Sequence, residues 1–156
     1  MKKRTKKYKA RDVIQNPLNF FLGGLKRIGG EHLTELNSKN HASILAITQG
    51  RATKEHFDQL TGMVNMALVL TEMHFNNEYL AMLYESHDAL HALGQRYLKI
   101  GKFVFKAEEL NSMNSAIEVH EAQLDVLRVI DVERAYDEIQ RRLKYHINTK
   151  KIEATA

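Results

Sequence analysis

The chain has no cysteine, no tryptophan and a single proline among 156 residues. Without cysteine there can be no disulfide, no thiolate zinc site and no thiol nucleophile, and a reducing compartment is the expected setting. One proline and eight glycines are too few turn residues for a β-sandwich and suit long helices. No apolar run approaches the roughly 18 residues that a membrane-spanning helix needs. The basic start followed by Leu18-Asn19-Phe20-Phe21-Leu22 has the outline of a signal peptide. However, Gly23, Gly24, Lys26 and Arg27 interrupt it and no small-residue cleavage site follows. The expected location is therefore the cytoplasm. Phosphate-cradling glycine loops of the P-loop or dinucleotide type are also missing. No strand-to-helix elbow singles out a serine or threonine nucleophile.

What is present is globular composition, 44% apolar and 27% charged, in a length that suits one domain with a sizeable core. The charge is unevenly placed. Residues 1–27 hold nine Lys or Arg and one acid, net +8; residues 28–139 hold nine bases and seventeen acids, net −8; residues 140–156 hold five bases and one acid, net +4. An acidic body with basic ends points to an interaction tail rather than a basic globule.

The first 15 residues form a basic arm that buries nothing. Asn16-Pro17 has the form of a helix cap followed by proline at the first helical position. Leu18, Phe21, Leu22, Leu25 and Ile28 then recur at helical spacing. Gly23 and Gly24 weaken that helix and Gly29-Gly30 end it, so it is expected to hold only by docking. Further apolar stripes predict a helix over about Glu31–Gln49, closed by Gly50, and another capped by Thr53 and broken at Asn76-Asn77. A helix carrying Leu80, Leu83, His87, Leu90 and Gly94 ends before Gly101. The next starts near Ala107 and presents Leu110, Met113, Ile117, His120, Leu124 and Leu127. Val129-Ile130 is expected to interrupt it, with Asp131 capping a last helix that carries Val132, Ala135, Tyr136, Ile139 and Leu143. The expected fold is all-α, an antiparallel bundle of about five helices with a basic N-terminal arm. Its organisation is an arm over 1–15, one helical domain over 16–148 and a basic polar tail over 149–156.

The arm offers the strongest functional signal. Lys2, Lys3, Arg4, Lys6, Lys7, Lys9 and Arg11 are spaced to reach successive phosphates, and Tyr8 can stack on a base. Arg141, Arg142, Lys144, Lys150 and Lys151 make a weaker second patch. The histidines are the next candidates. His87 and His91 are four apart on one helix face, and Asp88 precedes His91 by three, the spacing of the carboxylate-x-x-His pattern of bundle metal sites. His41 and His120, on other helices, would complete a zinc, iron or manganese site if the fold brought them there. The alternative is a polar core network. Asn40, His87, Asn114 and His120 fall on or beside apolar stripes and need partners, because an unpaired buried polar group costs roughly 1–3 kcal/mol. On that reading His91 is solvated and no cofactor is expected.

Lys39-Asn40-His41, Thr48-Gln49-Gly50-Arg51-Ala52-Thr53, His87-Asp88-Ala89-Leu90, Leu110 and His120-Glu121-Ala122-Gln123-Leu124 carry a resemblance. With them the chain, over roughly residues 1–140, resembles small accessory proteins of proteobacterial phages and other mobile elements. The resemblance implies a bacterial cytoplasm as the setting, with DNA-linked regulation or inhibition of a host defence complex as the work. The expectation is a non-enzymatic protein whose arm contacts nucleic acid or a host nucleoprotein complex, without a membrane partner. Exchange of the Leu18–Ile28 helix between protomers would make a homodimer. The alternatives are a small metal-dependent enzyme using the His and Asp cluster, and a protein-only inhibitor whose acidic body mimics nucleic acid.

Overall fold

The computed structural model describes residues 30–145. The basic arm, the Leu18–Ile28 segment and the tail after Tyr145 lie outside them. Among the described residues there are five helices and no strand: α1 (Gly30–Thr48), α2 (Lys54–His74), α3 (Leu80–Ile100), α4 (Ala107–Val126) and α5 (Val129–Tyr145). The all-α helical bundle read from the periodicity is the fold that forms.

The helix ends follow local chemistry. Thr53 is extended ahead of α2 (φ −107°, ψ 173°), and its N–H donates to His56 Nδ1 at 3.0 Å, so a histidine takes the part usually played by Glu or Gln three residues in. Gly50 and Gly101 close α1 and α3 with φ of 71° and 72°, a conformation that costs glycine nothing. Asn76 and Asn77 break the chain after α2 at φ 49° and 61°, the left-handed region that asparagine tolerates. One boundary differs from the expectation. Val129-Ile130 does not interrupt the chain; the break falls at Leu127, extended at φ −90° and ψ 158°, and α5 already begins at Val129. Asp131 is therefore not the residue before the helix. It sits inside the first turn and reaches back, its Oδ2 accepting the Arg128 N–H at 2.9 Å.

The connections 49–53, 75–79 and 101–106 are short, so neighbouring helices among α1 to α4 run antiparallel. α2 is the hub: it packs against each of the other four helices, whereas α5 packs against α2 alone. The main core gathers Leu60, Val64, Leu83, Leu93, Met113 and Ile117, all essentially without solvent contact; each such side chain contributes roughly 1.5–3 kcal/mol. Ala67 and Ala116 are fully buried within the same core, and their small side chains let helices approach closely. A smaller cluster of Val69, Leu70, Leu127 and Ala135, joined by Ile139, seats α5 on α2.

This topology places 49–53 and 101–106 at one end of the bundle. Phe103 pins them together, stacking on Tyr97 (ring centroids 4.1 Å apart) and on Phe57 (5.2 Å). The start of α1 and the connection 75–79 lie at the other end.

Candidate functional site

α3 and α5 both lie on α2 but do not touch each other. The gap between them is a groove of about 570 Å³, within the size range of small-ligand sites. Leu68, Val69 and Leu90 supply its apolar part together with Ile139 and Leu143. Thr61, Asn65 and Glu72 of α2, Tyr84, His87, Asp88 and His91 of α3, and Arg142 of α5 supply its polar part. Arg142 Nη2 meets Glu72 Oε2 at 2.5 Å and its Nε meets Glu138 Oε1 at 3.0 Å, which ties the end of α5 to α2. Hydrogen bonds from Arg141, then Arg142, hold the Glu138 carboxyl down at about 2. The Thr61 hydroxyl is spent on the Phe57 carbonyl (2.9 Å).

The histidines singled out in the sequence go to three places. His87 and His91 share the groove wall with Asp88, and His87 Nδ1 is 3.9 Å from Asp88 Oδ1. His41 is on the opposite side of the domain's core, where its Nε2 lies 2.6 Å from Glu121 Oε1 across α1 and α4. His120 is inside the core. Helical spacing brings His87, Asp88 and His91 together, and nothing in the packing adds His41 or His120 to them. Among the described residues no three His, Asp or Glu side chains are placed to hold a metal ion.

The expected polar core network forms in part, with different members. Asn40 is buried and its Oδ1 accepts from Gln59 Nε2 at 2.9 Å. Gln123 Nε2 donates to Thr71 Oγ1 at 2.7 Å and to the Ala67 carbonyl at 3.2 Å. Three expectations are corrected. Asn114 is exposed, because the packed side of α4 runs through Met113, Ala116, Ile117 and His120. His87 is half-buried on the groove rather than in the core, since α5 does not close over that face of α3, and His91 is half-buried beside it in the groove wall rather than solvated. Burial lowers His120 to about 4, weakly opposed by the nearby Gln123 side chain. His120 Nδ1 and Gln123 Oε1 have no hydrogen-bond partner among the described residues.

Lys2, Lys3, Arg4, Lys6, Lys7, Tyr8, Lys9 and Arg11 lie outside the described residues. The two arginines of the weaker basic patch are neutralised: Arg141 pairs with Glu138 at 2.8 Å, and Arg142 with Glu72 and Glu138. Sequence reasoning passed over Asn65, Glu72 and Tyr84 in the groove. Only their spacing on the flanks of α2 and α3 signals them, and that spacing is shared by any solvated residue.

No protein-family model, curated protein or solved structure matches the chain.

Proposed function

We propose that this is a non-enzymatic binding protein in which a helical domain carries a basic arm onto the phosphates of a nucleic acid, alone or within a nucleoprotein complex. One observation carries the reading: residues 1–27 hold nine bases against one acid, on a chain whose residues 28–139 are net −8. A polyanion is attracted by the arm and repelled by most of the domain, so binding is confined and oriented. If the resemblance to phage and mobile-element accessory proteins holds, the work is regulation of such elements or obstruction of a host defence complex.

The test is deletion of residues 1–11 with helicity followed in parallel. Engaging about five phosphates gives a log–log salt slope of about −3.5 to −4.5. Deletion should remove that slope and leave the circular dichroism of the helices unchanged. Binding unaltered by the deletion would overturn the reading.

A further inference from the structure

The acidity of the domain is not uniform. Residues 28–139 contain nine bases, and six of them stand at the end of the bundle where 49–53 meets 101–106. Arg96 is one, spent on Glu109. The other five, Arg51, Lys54, Lys99, Lys102 and Lys106, are exposed, and among the described residues none of them is in an ion pair. Lys54 Nζ stands 5.9 Å from the centroid of the Tyr97 ring, and Tyr97 stacks on Phe103. These contacts put the start of α2, the end of α3 and the connection 101–106 at one end of the bundle. Counting Arg96 with Glu109, and the exposed acids Glu55, Asp58 and Glu108, this end is net +2 and the rest of residues 28–139 is net −10.

Helix stability accounts for Lys99, in the last turn of α3, but not for the cations at the helix starts. Lys54 opens α2 and Lys106 immediately precedes α4, positions at which the helix dipole favours an acid. Two cations placed against local preference, in a domain short of cations elsewhere, mark a surface selected for what it meets.

We propose that this end of the bundle is a second phosphate-binding face, which engages the backbone of a polynucleotide through Arg51, Lys54, Lys99, Lys102 and Lys106. The proposal deepens the reading of the arm and rests on it for the class of ligand. The basic end lies at the finish of α1, a helix of 19 residues that spans about 28 Å from the start of the described domain. Two phosphate-binding sites on one chain each raise the effective concentration of the other on a single polymer.

The experiment uses the full chain and one fluorescein-labelled 40-nucleotide single strand, with its duplex and phosphatidylserine vesicles alongside. Three proteins are compared with the parent: Lys99→Gln/Lys102→Gln/Lys106→Gln, Arg51→Gln/Lys54→Gln, and the deletion of residues 1–11. The substituted side chains are exposed, and melting curves report any loss of fold. Losing three contacts should weaken binding about tenfold or more near 0.1 M salt and make the salt slope shallower by about 2 to 3. The two-residue variant should act in the same direction. If both variants bind like the parent while the deletion abolishes binding, the face is overturned and the arm reading stands. If the deletion changes nothing while both variants lose binding, the arm reading fails and the face stands. No binding of either nucleic acid by the parent, or vesicle binding in its place, overturns both.

Discussion

Arg96 and Glu109 face each other across the α3–α4 connection in a bidentate pair, Nη1 to Oε1 at 2.9 Å and Nη2 to Oε2 at 3.1 Å. Glu109 is buried, and its Oε1 also accepts the Lys106 N–H at 2.9 Å. Arg96 in turn donates to the Val104 carbonyl. One ion pair thus holds both ends of a connection that has little secondary structure of its own. Glu109→Ala strands the guanidinium in a largely buried position and should lower stability by roughly 3–5 kcal/mol. Urea denaturation measures this; a loss under about 1 kcal/mol would mean that the stacked Phe103 alone holds the connection.

His120 should make stability fall in mild acid. The folded protein resists protonation until about 4, because burial lowers the pKa from 6.5, whereas the unfolded chain takes up its proton near the ordinary value. The unfolded state therefore binds more protons between these limits. The contribution is complete above about pH 7 and is lost progressively as pH falls through 6.5 to 4. At about 1.4 kcal/mol per unit it amounts to roughly 3 kcal/mol. Chemical denaturation of the parent and of His120→Leu at pH 7.5 and pH 4.5 tests it: the stability lost by the parent between the two pH values should shrink in the variant.

Gly62 and Gly101 should respond oppositely to alanine. Gly62 is exposed within α2, and no heavy atom lies within 4 Å of where a Cβ would sit. Gly62→Ala should stabilise by about 0.5–1 kcal/mol. Gly101 has equal space but a φ of +72°, so Gly101→Ala should destabilise by roughly 1–2 kcal/mol. Thermal melting of the two variants suffices, and a gain at both positions would contradict the left-handed closure of α3.

Asp131 should matter at the start of α5, where it accepts from the backbone N–H of Arg128. Burial alone would raise its pKa, but hydrogen bonds from the backbone N–H and guanidinium of Arg128 outweigh it and leave the carboxyl below its ordinary value. Asp131→Ala should cost about 1–2 kcal/mol by leaving the Arg128 N–H without its acceptor. Hydrogen exchange should show faster amides in the first turn of α5, with the middle of α2 unaffected.

The helices were legible because their signals are local. Leu60, Val64 and Leu68 recur at the period of a helix, Thr53 and Gly101 are capping residues, and Asn76-Asn77 is a break, each recognisable without knowing what packs nearby. The end of α4 was misplaced for the same reason. Val129-Ile130 looks like an interruption to propensity alone, whereas the burial of Leu127 against Val69 and Leu70 fixes where the chain turns.

The amino-acid sequence by itself determined the all-α class, the helix spans, the pairing of His87 with His91 on one face, and the division of charge between ends and middle. All of these depend on residues near one another in the chain. Only the tertiary structure decided that α2 is the hub, that α5 leaves a groove over His87 and His91, that His41 goes to Glu121 while His120 goes to the core, and that Lys54 lies over the ring of Tyr97 near the end of α3. Those relations join faces of different helices. Helical periodicity says which side of a helix is apolar, but which partner covers that side is settled by shape and close packing among all five helices at once.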